Sequence, residues 1–317
     1  MPANCNLYLP FEFSQGVEIK DLPFNTTLDG YDAELEKNGE KYAVLLRNVP
    51  SEEAANAEMS RLMAALTWAA VEMKKGILWT DAIQTPNFPD DPVAAAKQLF
   101  GESTDRKVDV IIDGGQAAIW PDGKERATLS TFPVGVLNSY SPSQFSTILS
   151  DALTLKNLVA ALSNSKLSLA VDLYCLSHFR SSNFARFLVL WMVLETAAPT
   201  PEVGEASKKL IKHWQAQARA QSEEAGGDNA AAKDLSALAQ RLGNFKQQSH
   251  RGRITDYVEA MLERVGDPRA KELAQAAKAL YDVRGKLTHD GHYKLGDRLR
   301  ELDEIVCATL KAAMRTA

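Results

Sequence analysis

The chain has 317 residues, 45% hydrophobic and 24% charged, the make-up of a globular protein large enough for more than one core. A net charge of −5 argues against a protein that coats nucleic acid over its whole surface, and the most apolar stretch, Phe187 to Ala198, is too short to cross a bilayer and contains Glu195. Cys5, Cys175 and Cys307 are too few and too scattered for a disulfide framework or a thiolate metal site, and no leading stretch has the order of a signal peptide, so reduced thiols in a cytoplasmic protein are expected.

In chain order, Leu7 to Phe13 alternates apolar and polar residues as a strand does, and Lys41 to Arg47 is another strand candidate. Ser51, followed by Glu52 and Glu53, predicts a helix start, and the helix continues to about Lys75 with Met59, Leu62, Met63, Leu66 and Val71 on its buried side. Asp81 to Pro92, with three prolines, reads as a loop. Val108 to Ile112 and Gln116 to Trp120 flank Asp113-Gly114-Gly115 and read as a hairpin. No Lys-Ser/Thr follows Gly114-Gly115, so this is not a phosphate loop.

From Ser141 onward the strand pattern disappears. Helices are expected at 143–162, 166–179, 182–197, 205–222, 230–248, 254–265, 268–286 and 294–314, with an exposed turn at 221–232. The fold class expected is α+β, with a small mixed domain over residues 1–140 and an all-α helical domain over residues 141–317. Charge is divided unevenly. Residues 200–317 hold 20 Lys and Arg against 17 Asp and Glu, a net +3, and the first 199 hold 16 against 24, a net −8. The sharpest basic cluster runs from Lys246 through His250 and Arg251 to Arg253, which reads either as a track for an RNA backbone or as a solvated loop between helices.

The chemistry-bearing stretch is Leu280 to His292, which sets Arg284 five positions before His289. Histidine can take and give a proton near neutrality, and the fixed cation of arginine fits two phosphate oxygens, so the pair suits reaction at a phosphodiester. Leu280, Val283 and Leu287 form one apolar stripe with Arg284 on its shoulder, beside Tyr281 and Thr288. His289 falls on the far side of an unbroken helix. Convergence therefore requires the helix to loosen near Gly285 or after Leu287, or a second copy to complete the site. A motif this short also arises where the arginine makes a surface ion pair and the histidine is solvated. His289, Asp290 and His292 could hold a metal, a reading that ranks below the metal-free one.

Arg284-Gly-Lys-Leu-Thr-His289 fits the R-x4-6-H pattern of the HEPN superfamily, and Tyr281 before the arginine and Gly291 after the histidine resemble its abortive-infection-associated, ApeA-like branch. Ser182 to Leu188, running on through Leu190-Trp191 to Leu194-Glu195, resembles a second block of that branch, and the likeness covers roughly residues 166–313. The resemblance implies a homodimeric, cofactor-free and metal-independent endoribonuclease with Arg284, His289 and Glu195 at its centre, Glu195 holding the arginine. Tyr281, Lys286, Thr288, His292, His250, Arg251 and Arg253 are the expected contacts to RNA. It implies a setting in antiviral defence or toxin-like arrest, no membrane partner, and a regulatory protein or ligand at the N-terminal domain. Active members often carry a polar residue after the arginine, where this chain has Gly285. That departure favours the alternatives: a silent HEPN protein that binds nucleic acid or nucleotide or acts as a scaffold, or a partner that masks another protein.

Overall fold

The computed structural model describes the chain apart from residues 1–3, 15–16, 40, 80–82, 102, 130–138, 180–181, 200–203, 227–228, 245–248, 291–294 and 317. Strands come first: β1 (Cys5–Phe13), β2 (Glu18–Ile19), β3 (Phe24–Leu28), β4 (Tyr31–Asn38) and β5 (Lys41–Val49). There follow α1 (Glu52–Glu72), β6 (Ile77–Leu78), β7 (Ile83–Gln84), α2 (Pro92–Phe100), β8 (Val110–Asp113), β9 (Ala117–Pro121), β10 (Arg126–Leu129) and β11 (Ser139–Tyr140). The rest is helical: α3 (Pro142–Leu153), α4 (Leu158–Leu162), α5 (Ser165–Ser177), α6 (Asn183–Ala197), α7 (Glu205–Glu224), α8 (Ala230–Asn244), α9 (His250–Arg264), α10 (Ala270–Asp290) and α11 (Arg298–Thr316). Among the described residues no strand follows Tyr140, and the class is α+β. By compactness the chain forms two units, Met1–Val193 with Val306–Ala317, and Leu194–Ile305, so the division falls within α6 and α11 and not at the change from strand to helix.

In the first unit the main sheet has the order β3-β4-β5-β1-β9-β7, with β6 paired antiparallel to the end of β1. β1 is central, antiparallel to both β5 and β9, and nearly every residue in it is buried. One face carries Tyr8, which clusters with Leu45, Trp120, Val110 and Ile112. The other carries Phe11 and Phe13, against which Phe145 of α3 packs with ring centroids 5.9 and 5.7 Å away. Alternation along the strand thus sends residues into two separate apolar layers. β3 and β4 form a hairpin over Asp29-Gly30, both at positive φ (50° and 87°), the backbone that a two-residue turn between twisted strands requires.

The expected hairpin at Asp113-Gly114-Gly115 does not form. β8 pairs in parallel with β10, and β9 pairs with β1 and β7, so the two strands enter different sheets. Gln84 accounts for the arrangement. Its amide accepts from Asp113 N at 2.8 Å and donates to Asp113 O and Gln116 O at 2.7 and 3.0 Å, fixing the turn from outside. Gln84 lies in the stretch expected to be loop, which instead contributes β7 and the first residue of α2.

α1 begins where Ser51 accepts a hydrogen bond from Ala54 N at 3.1 Å, with Glu52 and Glu53 in its first turn. From Ala64 to Val71 every residue is buried; of the side chains expected inside, Leu62, Leu66 and Val71 are buried while Met59 and Met63 are half-buried. The C-terminal part of α11 covers it: Cys307 Sγ donates to Val71 O at 3.1 Å, Lys311 pairs with Glu72, and Arg315 lies 5.0 Å over the Trp68 ring. The single helix expected over 143–162 is two. Thr154 turns its hydroxyl onto Asp151 O at 2.6 Å and caps α3, whose start is the Ser141–Gln144 capping box.

In the second unit α7 packs on α8 and α9 on α10. Leu280, Val283 and Leu287 are buried, as their spacing predicts.

Gly76 marks a tight approach in the first unit. Its N–H donates to Ser14 Oγ at 3.1 Å, its carbonyl accepts from Ser14 N at 2.8 Å, and an added Cβ would strike the Cys175 carbonyl and the Phe179 ring. Gly285, inside α10, has nothing within 4 Å of such a Cβ. Gly76→Ala is expected to cost about 1–3 kcal/mol in urea unfolding, the usual penalty of overpacking. Gly285→Ala is expected to cost nothing or gain about 0.5–1 kcal/mol. A Gly76→Ala protein as stable as wild type would contradict the packing described.

Candidate functional site

The site is built where α6 ends and α9 and α10 pass beside it, all within the second unit. Glu195, in the last turn of α6, takes two arginines. Arg284 Nη2 of α10 stands 3.2 Å from its Oε1, and Arg253 Nη2 of α9 donates to its backbone carbonyl at 3.3 Å. The second contact places a cation on a carbonyl of the last turn of α6, where the helix dipole favours it. The pairing of Glu195 with Arg284 that the resemblance implies is therefore present.

Arg284 keeps 33% of its side chain exposed and Glu195 22%. The guanidinium also lies 5.7 Å over the ring of Tyr281, one turn earlier on α10. It is thus oriented by a carboxylate and an aromatic face while still reaching solvent.

α10 does not loosen at Gly285 or after Leu287; it runs unbroken to Asp290. On a regular helix, positions 284 and 289 differ by about 140° around the axis and about 7.5 Å along it, so they face different ways within one chain. Thr288 and His289 belong to α10 by their backbone, but their side chains, together with all of His292, lie outside the described residues.

The remaining expected contacts fall into two groups. Lys286 is exposed on α10, His250 is exposed in the first turn of α9, and Arg251 pairs with Asp282 at 2.9 Å, both partners open to solvent. Arg253 is different. It is 7% exposed, with Nη2 on the Glu195 carbonyl and 3.2 Å from His250 Nδ1, so it braces α9 against α6 and does not offer a surface cation. The stretch from His250 to Arg253 is helix, not loop, with Ser249 as its cap. A cleft of about 440 Å³ along α9, lined by Arg253, Asp256, Tyr257 and Arg264 among others, includes neither Arg284 nor Glu195.

One strongly perturbed titratable group went unnoticed in the sequence. His178, the C-cap of α5 in the first unit, has its pKa pushed down to about 3, chiefly by burial and further by the charges of Arg186 and Lys75. Arg186 Nη2 stands 3.2 Å from its Nδ1, and since arginine only donates, that nitrogen is the acceptor and the ring is neutral. Its ring meets Tyr174 edge-on at 4.8 Å. All three cysteines are outside disulfides and buried, and burial pushes the Cys175 thiol up to about 12. Among the described residues no group of three His, Cys, Asp or Glu is placed to hold a metal, and no helix is long and apolar enough to cross a membrane. Comparison with models of known protein families, with curated proteins and with solved structures gives no match.

Two outcomes follow from this geometry. In a double-mutant cycle of Glu195→Gln and Arg284→Gln, read by urea unfolding, the coupling is expected at about 0.5–1 kcal/mol, since both groups are partly solvated and screened. Strict additivity would contradict the pair. For His178, the unfolded chain takes up a proton as pH falls through about 6.5 while the folded chain does not until about 3. Stability should therefore decline from pH 7 to pH 5, and His178→Gln should make that decline shallower by about 1–2 kcal/mol. Parallel declines for the two proteins would contradict the buried neutral ring.

Proposed function

We propose that the chain is a metal-independent endoribonuclease of the HEPN kind, active as a homodimer, with Arg284 as the phosphate clamp and His289 as the acid–base group. The observation that carries this reading is the Glu195–Arg284 pair, which fixes a partly exposed, permanently charged guanidinium five residues before a histidine on the same helix. In the proposed reaction the imidazole of His289 takes the proton of a ribose 2′-hydroxyl. The 2′-oxygen forms a bond to phosphorus as the bond to the 5′-oxygen breaks, and the leaving oxygen takes a proton from an imidazolium. Arg284 neutralises charge on the non-bridging oxygens. The products are a 2′,3′-cyclic phosphate and a 5′-hydroxyl, and DNA is spared for want of the nucleophile.

The 140° divergence of the two positions is the reason for two copies: a two-fold arrangement lets Arg284 of one chain meet His289 of the other. α6 supports such an association, since its apolar side chains Phe184 and Met192 are 38% and 47% exposed. Tyr281, Lys286, Thr288, His292, His250 and Arg251 are proposed to line the RNA path. A cytoplasmic setting in defence or growth arrest, with the N-terminal strands and helices as a sensing part, completes the reading.

The same divergence favours a second reading, in which the chain is a silent member of that superfamily that binds nucleic acid or serves as a scaffold. The test is cleavage of single-stranded RNA by the purified chain. Arg284→Ala and His289→Ala are each expected to lower the rate by about a hundredfold or more, with activity surviving EDTA and DNA left intact. RNA binding without cleavage, unchanged in both variants, would establish the silent reading; activity abolished by EDTA and restored by a divalent ion would overturn the mechanism.

A further inference from the structure

A cleft of about 510 Å³ opens in the first unit on the Tyr8 side of the sheet, between β4 and β5, the end of α2, the turn before β8, and the approach to β10. Its wall is cationic: Arg47, Arg106, Lys107, Lys124 and Arg126 reach it. Two carboxylates, Glu34 and Glu125, share that lining. The surplus stands out because the first 199 residues carry a net −8.

Part of this charge is neutralised within the protein. Arg47 pairs with Glu34 at 2.6 Å, Arg126 with Glu36 at 2.5 Å, and Lys107 with Asp109 at 3.3 Å. Arg106 and Lys124, both exposed, form no direct ion pair among the described residues, although Asp109 feels the charge of Lys124 as well as that of Lys107. The cleft lining therefore keeps more cations than carboxylates, with Arg106 in no ion pair among the described residues, the condition for binding an external anion.

The floor supplies a second, independent sign. Trp120 is 2% exposed and its Nε1 has no hydrogen-bond partner among the described residues; the same is true of Arg126 Nη1, on a side chain 16% exposed. Arg126 packs 5.0 Å over Tyr8 and 5.7 Å over Trp120, so these two buried donors belong to one stack. Buried donors without acceptors are rare in folded proteins, and two lining one cationic cleft call for an acceptor brought from outside.

The rim supplies the third element. Phe100, the last residue of α2, is 51% exposed with the Arg106 guanidinium 5.9 Å over its ring. An aromatic face beside a cation suits a flat heterocycle, and the volume is that of a small-molecule site.

We propose that this cleft binds a nucleoside phosphate, its phosphate held by Arg106, Lys124 and Arg126 and its base against Phe100, with a ligand oxygen accepting from Trp120 Nε1. The site is separate from Arg284 and stands whether or not that residue serves catalysis.

The test is calorimetric titration of the full chain at low salt with 5′-AMP, 5′-GMP, 5′-CMP and 5′-UMP, beside inorganic phosphate, the parent nucleosides and a short oligouridylate. At least one nucleotide is expected to bind one per chain, at least about tenfold tighter than phosphate or its nucleoside. The Arg106→Ala/Lys124→Ala protein, altered only at exposed side chains, should bind it about tenfold more weakly or worse with unchanged urea unfolding. Phe100→Ala should weaken the nucleotide and leave inorganic phosphate unaffected. The proposal is overturned by no binding up to about 1 mM, by binding that ignores these substitutions, by phosphate binding as tightly as any nucleotide, or by binding of the oligouridylate alone.

Discussion

The C-terminal half of helix α1 has no free face, and that constraint orders the first unit. Eight consecutive residues, Ala64 to Val71, are buried, which requires partners all round the helix. The sheet, α3, α4, α5 and the end of α11 supply them. The alanines at 64, 65, 69 and 70 let those partners approach closely, and the larger Leu62, Leu66 and Trp68 fill the gaps between them. A helix so enclosed ties the N-terminal strands to the last residues of the chain. The first unit is therefore closed by Val306–Ala317, although those residues are distant in sequence.

In the second unit Glu195 plays the corresponding part on a smaller scale. Its carbonyl receives Arg253 and its carboxylate receives Arg284, so one residue sets both the seat of α9 and the direction of the candidate catalytic cation. The buried Arg253 contact is structural, and the half-exposed Arg284 contact is the one able to exchange partners with a phosphate. A carboxylate that holds an arginine in place without enclosing it leaves that arginine preorganised for an anion.

Much of the architecture was legible because it rests on local chemistry: the Ser51 cap, the strand patterns of β1 and β5, and the stripe of Leu280, Val283 and Leu287. The Asp29-Gly30 turn was equally local and was passed over, although its two residues have the composition a two-residue hairpin demands. The Asp113-Gly114-Gly115 turn misled for the opposite reason. Its composition suits a hairpin, but Gln84 and the β1 edge decide where the flanking strands go, and neither is visible in a short window. The neutral His178 depends on Arg186 and on burial between helices, and the cationic cleft gathers residues from β4, β5, α2 and β10 that share no spacing. The Glu195–Arg284 pair was expected from the likeness of two distant blocks to one superfamily branch, not from the pattern of either block. The unbroken α10 was open in the sequence, since Gly285 weakens a helix without ending it.

The central claim is that Arg284 and His289 act together across two copies of the chain. Mixing the Arg284→Ala and His289→Ala proteins under conditions of subunit exchange tests it most directly. A mixed dimer would hold one site with both groups and one with neither. RNA cleavage should therefore return to about a quarter of the wild-type rate from two inactive preparations, half the dimers being mixed and each having one working site. A mixture that exchanges subunits fully and stays inactive would contradict the account.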